Sequence, residues 1–156
     1  MGLKESVNEE TVSSLPLRAV LAVKAATVVR AAVAQMRAKQ LGCCVIVGHD
    51  GKPTGIFTER SVIDALVQDA SLDNRTVAEF ADPIYQVVNG DEPISRVWNA
   101  IVKDGFRFIC VTDDDGQPIG VTGQRGLAEF VSEHFPQQIM VQRLGSKPWM
   151  QEREGA

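Results

Sequence analysis

Hydrophobic and polar positions along this chain switch between a strand's period and a helix's, and they do so twice in the same order. Ala19 to Val23 is a short apolar run with a strand's character. From Thr27 to about Gln40 the apolar positions fall at helical spacing, with Val29, Ala32, Val33 and Met36 on one face and alanines at many of the others. A helix capped by Thr27 is predicted there. Cys43 to Val47 and Thr54 to Phe57, rich in β-branched and apolar residues, flank His49-Asp50-Gly51-Lys52-Pro53 and predict two strands joined by a tight turn. A helix from about Glu59 to Gln68 completes the unit. The second unit predicts a strand at Ile84 to Val88 and a helix opened by Asp91 with Pro93 in its first turn. Strands at Phe108 to Thr112 and Ile119 to Thr122 follow, and then a helix to about His134.

The two units are copies. Asp50-Gly51-Lys52-Pro53-Thr54-Gly55-Ile56 returns 65 residues later as Asp115-Gly116-Gln117-Pro118-Ile119-Gly120-Val121, and the match runs without a gap from Thr11/Thr76 to Arg60/Arg125. A duplicated block of this length is one supersecondary unit used twice, and a cleft between two such units is a natural place for a small ligand. The fold class expected is mixed α/β (α+β), two βαββα repeats packed with pseudo-twofold symmetry. Residues 11–70 form the first repeat and 76–134 the second, with Asp69 to Arg75 as a polar connector. Residues 1–10 read as a disordered leader. The extension 135–156 has no counterpart in the first repeat, and its Ile139, Met140, Val141 and Trp149 are candidates to dock on the body or on a second subunit.

Charge narrows the partners. With 16 basic against 20 acidic residues the net charge is −4, and no stripe of Lys and Arg is present to neutralise a nucleic-acid backbone. Lys24, Arg30, Lys103 and Asp104 interrupt the apolar segments, so no membrane-spanning run is predicted. The odd count of 3 cysteines argues against a disulfide framework and for a reducing, cytoplasmic setting. Cys43, Cys44 and Cys110 read as small buried hydrophobes, and His49 and His134 alone give no metal-ligand spacing. No nucleophile elbow or P-loop is present, and Asp113-Asp114-Asp115 beside Gly116 reads as a solvated turn. The sequence therefore points away from an enzyme.

The order strand, helix, strand, D-G turn, strand, helix, with Gly55-Ile56-Phe57-Thr58-Glu59-Arg60-Ser61 at the start of the second helix, resembles the CBS-domain family, named after cystathionine β-synthase. The resemblance covers about residues 11–134 in two tandem copies. It implies two repeats paired through their sheets, frequent dimerisation, and AMP, ATP or S-adenosylmethionine held in clefts between repeats. Thr58 stands at the family's phosphate-side threonine, whereas Ser61 replaces its ribose-binding aspartate. In the second copy Gly123 and Gly126 occupy both positions. Val45 and Cys110 replace the family's strand proline. Arg18, Ala19 and Val20 match the stretch against which the family's adenine lies, and are assigned here to the same cleft as Thr58, with Cys43 and Cys44 as wall residues.

Each of these residues also has a plain structural role. A threonine at a helix start caps free N–H groups, and the same N–H groups attract phosphate. Ser61, one turn along, offers a ribose hydroxyl a neutral hydrogen bond. Arg60 and Arg125 sit in the first turns of their helices, where the dipole disfavours a cation. Each is either a solvated head on a packed stem or a phosphate-reading guanidinium. The expected function is a regulatory module that senses an adenosyl nucleotide and passes a shift in repeat orientation to a regulated protein partner. The alternative is a ligand-free dimerisation scaffold. A homodimer is expected through the face around Ala31, Ala34 and Ala38 and through Trp98.

Overall fold

The computed structural model describes residues 2–68 and 70–136. Its first helix, α1 (Leu3–Glu9), precedes β1 (Ala22–Lys24), α2 (Val29–Lys39), β2 (Cys43–Val47), β3 (Pro53–Thr58) and α3 (Glu59–Val67). The short α4 (Val77–Phe80) then opens a second series: β4 (Gln86–Asn89), α5 (Ile94–Val102), β5 (Phe108–Thr112), β6 (Pro118–Gly123) and α6 (Gln124–His134). Each series makes a three-stranded sheet whose first strand is parallel to the second and whose second is antiparallel to the third. The registers correspond, with Cys43 opposite Thr58 and Phe108 opposite Gly123, and with irregularities at Ile46/Val47 and Val111/Thr112. The mixed α/β, two-repeat architecture is as expected.

The two sheets face one another through Cys43, Val45, Ile56, Cys110 and Val121, with Val20, Tyr85, Val87 and Phe108 packed around them. On its other face each sheet buries a core under its own helices. Val29, Ala32, Met36, Phe57 and Ala65 fill the first core, and Ile94, Val97, Ala100, Leu127 and Phe130 the second. The α2 face read from the sequence is thus turned inward, with Val29, Ala32 and Met36 buried and Val33 half-buried, and in α5 Ile94, Val97 and Ala100 are buried while Trp98 and Ile101 are half-buried.

The repeats exchange their opening segments. Val12, fully buried, belongs to the core of the second repeat, and Val77, also fully buried, belongs to the core of the first. Equivalent backbone bonds tie the exchange. Val29 N–H donates to the Arg75 carbonyl and Ile94 N–H to the Glu10 carbonyl, both at 2.9 Å, so each lead-in satisfies the otherwise free first N–H of the other repeat's helix. Burying one valine contributes about 1.5–3 kcal/mol, so neither core closes at full strength without the other repeat.

This exchange accounts for three differences from the sequence reading. Residues 2–10, expected within a disordered leader, instead carry α1, helical from Leu3, with Ser6 buried and Val7 in the second core, because a helix with apolar Leu3 and Val7 one turn apart has a face to pack on. The first strand begins at Ala22 rather than Ala19, because Arg18 instead bridges Val121 of the second repeat through reciprocal bonds of 2.9 and 3.0 Å. Thr27 does not cap α2. Val28 precedes the helix, the connector's Leu72 and Arg75 carbonyls receive its first N–H groups, and the Thr27 carbonyl accepts from Val77. The apolar residues Ile139, Met140, Val141 and Trp149 lie outside the described residues.

Candidate functional site

The two D-G turns meet at one end of the paired sheets. Gly51 and Gly116 take positive φ values of 80° and 79°, a conformation that glycine adopts without steric cost, and the Gln117 side-chain amide donates to the Asp50 carbonyl at 2.8 Å. At the opposite strand ends, β2 and β5 begin and β3 and β6 finish. There a cleft of about 600 Å³ opens between the repeats.

One wall of the cleft is Pro16, Leu17, Arg18 and Ala19. Leu41, Gly42 and Cys43 lead into β2, Arg107 and Phe108 lead into β5, and the remaining wall runs from Val121 through Gly126 to Ala128 and Glu129. Its floor is largely apolar and its charged residues are Arg18, Arg107, Arg125 and Glu129. That volume and lining suit a small organic ligand with an anionic end. Arg125 pairs with Glu129 at 3.3 Å, and Arg107 approaches Glu59 of α3 at 3.8 Å while lying over the Phe108 ring.

The six site residues expected from the sequence are not brought together. Thr58, Arg60 and Ser61 lie at the start of α3. There the Ser61 N–H donates to Thr58 Oγ1 at 3.3 Å and the Thr58 N–H donates to Ser61 Oγ at 3.1 Å, a reciprocal capping box. Ser61 is buried and Arg60 exposed. Arg18 and Ala19 line the open cleft beside Gly123, not the Thr58 side, because the lead-ins are exchanged. The segment that approaches β3 of the first repeat is instead Asp82, bridged to Ile56. Val20 packs in the cluster between the sheets. Cys43 lines the open cleft, and Cys44 is buried in the first core.

The glycines of the second repeat are there for steric reasons. A Cβ on Gly123 would collide with the Arg107 carbonyl. One on Gly126 would lie 2.7 Å from Thr122 Oγ1 and 3.0 Å from the Pro16 carbonyl. The α6 terminus consequently has no side-chain cap. Thr122 occupies the position equivalent to Phe57, and its buried hydroxyl has no protein partner among the described residues.

Sequence reasoning missed Leu17, Arg107 and Phe108 as cleft residues. The duplication contained a signal for the last two, since Arg107 and Phe108 are the counterparts of Gly42 and Cys43. Burial pushes the Cys43 thiol up to about 12, with Cys44, Cys110 and Glu59 adding to the rise and Arg107 opposing it. Burial also lifts Cys44 to about 12 and Cys110 to about 11, so none of the three is poised as a thiolate. Among the described residues no cluster of three or more metal-ligating side chains occurs, and no helix is long and apolar enough to cross a membrane.

The CBS domain profile matches residues 12–68 and 77–133. An uncharacterized protein of Methanopyrus kandleri is 26% identical over 97 residues; the match takes in 61% of this chain and 49% of that protein, so the chain spans about half the length of this relative. A CBS domain protein from Pyrobaculum aerophilum, solved in complex with AMP, superposes with a TM-score of 0.69 at 19% identity, covering 87% of this chain and 99% of that one. A CBS domain pair solved with 5′-methylthioadenosine and S-adenosyl-L-methionine gives the same TM-score and identity over 79% of this chain and 96% of that one. At these identities the likeness is one of fold.

Proposed function

The chain belongs to the CBS-domain family, and on that premise we propose that it is a regulatory module that senses an adenosyl nucleotide of the AMP or ATP kind in the cleft between its repeats. The observation that carries this is the cleft itself: about 600 Å³, apolar at its floor, with Arg18, Arg107 and Arg125 at its rim. Proteins of similar fold bind AMP or S-adenosylmethionine, which supports the ligand class. An apolar floor takes a base, and guanidiniums beside an uncapped helix start take phosphate.

The ligand acts without reacting. It lies between Leu41, Gly42 and Cys43 of the first repeat and Arg107, Phe108, β6 and α6 of the second, so binding favours one relative orientation of the repeats. The change is read by a regulated protein partner, and the acting form is a cytoplasmic homodimer joined at the exposed face of α2 around Ala31, Ala34 and Ala38. Trp98 contributes less to such an interface than the sequence suggests, since it shares a crevice with Leu3 and Val7 of α1.

A second reading places ligand at the start of α3, favoured by the adjacent hydroxyls of Thr58 and Ser61, 3.4 Å apart, with Arg60 beside them. Thermal denaturation with AMP, ATP and S-adenosylmethionine separates the readings. At about 100 times the dissociation constant a ligand adds roughly 2.7 kcal/mol of stability, a rise of several degrees. A rise that survives Thr58→Ala and is lost on blocking the open cleft with Ala19→Trp supports the cleft. Loss of the rise in Thr58→Ala moves the site to α3. No rise with any adenosyl compound leaves the scaffold alternative.

A further inference from the structure

We propose that Arg107 reads the charge of the ligand in the open cleft, and that a phosphate-bearing ligand displaces its ion pair with Glu59. This inference rests on the adenosyl-ligand reading of the cleft. The apolar floor made by Leu17, Cys43, Phe108 and Val121 has no means of distinguishing a nucleoside from its phosphates. That distinction falls to the three guanidiniums lining the cleft, which outnumber its one carboxylate, Glu129.

The three arginines are not equivalent. Arg125 is held by Glu129 one turn along its own helix, at 3.3 Å, so this pair travels with α6 whatever the repeats do. Arg107 has a partner in the other repeat: Glu59, the first residue of α3, at 3.8 Å. Both side chains are largely exposed, at 72% and 59%, and an exposed pair at that distance is weak and screened. A phosphate offers the same guanidinium two parallel charge-assisted bonds, which are shorter and stronger. Phosphate in the cleft therefore takes Arg107 from Glu59. Because the Arg107–Glu59 pair links one repeat to the other, its rupture converts ligand charge into a change at their boundary. An uncharged nucleoside, or a sulfonium compound lacking phosphate, occupies the floor and leaves the pair intact.

Calorimetric titration of the full chain with adenosine, AMP and ATP at low salt tests this in the wild type, Arg107→Gln, Glu59→Gln and the double variant. The expected result is that AMP and ATP bind about tenfold or more tightly than adenosine in the wild type, and that Arg107→Gln cuts this ratio several-fold, weakening AMP and ATP far more than adenosine. Glu59→Gln should tighten AMP and ATP about two- to fivefold without affecting adenosine, and the gain should vanish in the double variant. Because both side chains are exposed, unliganded melting temperatures should match across the set. Equal binding of adenosine and AMP by the wild type, or equal weakening of both in Arg107→Gln, overturns the role of Arg107 while the adenosyl reading stands. If no adenosyl compound binds, both fall together.

Discussion

Gly123 rests against the backbone carbonyl of Arg107 so closely that a Cβ on it would collide with that oxygen. The residue that leads into β5 thus dictates the residue that ends β6, its antiparallel neighbour. A hydroxyl-bearing side chain at 123 is excluded by the backbone, whatever ligand the cleft holds. Gly123→Ala is expected to cost about 1–3 kcal/mol by overpacking, lowering the melting midpoint by several degrees. Gly126→Ala should also destabilise, although helix propensity alone would favour alanine there by about 1 kcal/mol. The Pro16 carbonyl at 3.0 Å is backbone held by the exchanged lead-in and has little room to yield. A rise in melting temperature for Gly126→Ala would show that the lead-in moves freely, and one for Gly123→Ala that the Arg107 backbone gives way.

Removal of the Thr58 hydroxyl should weaken α3. Thr58→Ala takes away the acceptor for the Ser61 N–H and leaves the start of the helix uncapped, at a cost of about 1 kcal/mol. Thr58→Ser keeps the acceptor and should recover most of that stability. Urea unfolding midpoints of the two variants provide the check. Equal destabilisation by both would show that the methyl group, not the cap, matters.

Stability should fall at alkaline pH. Unfolded thiols ionise near 9.0, whereas in the folded chain burial holds Cys43 and Cys44 protonated to about 12 and Cys110 to about 11. The raised folded value means that the contribution is complete below about pH 9 and is lost as pH climbs toward 11–12. Each thiol accounts for about 1.4 kcal/mol per pH unit within that window. Cys110→Ala should flatten the slope between pH 9 and 11, measured by denaturant unfolding. In the native state at about pH 8, thiol reagents should modify none of the three until the chain unfolds.

Val7→Ala is expected to destabilise the second repeat by about 1–3 kcal/mol, because Val7 is 7% exposed and belongs to the core with Ile94, Val97 and Phe130. Hydrogen exchange should show α5 and α6 losing protection before α2 and α3. Uniform loss, or none, would mean that α1 is not integral to that core.

Trp98 fluorescence, isolated in a Trp149→Phe background because the chain holds 2 tryptophans, should report the same packing. Deleting residues 2–9 uncovers the crevice shared by Leu3, Val7 and Trp98, so the emission should shift to longer wavelength. An unchanged spectrum would place the indole's environment elsewhere.

By itself the sequence determined whatever depends on local pattern. The 65-residue repeat, both D-G turns, the corresponding strands Cys43–Val47 and Phe108–Thr112, and the inward face of α2 follow from spacing and turn chemistry, and they appear in the fold. Thr58 was legible as a helix cap for the same reason, its partner being three residues away. Tertiary structure alone decided which copy receives each opening segment. Val12 and Val77 look alike in sequence, and nothing local to either states that it closes the other repeat's core. That choice moved Arg18 and Ala19 from Thr58 to Gly123 and gave α1 a surface to fold on, while the packing of the two sheets face to face brought Arg107 within reach of Glu59. The physical reason is that periodicity encodes which face of an element is buried, whereas the identity of the surface covering it depends on pairing between segments distant along the chain.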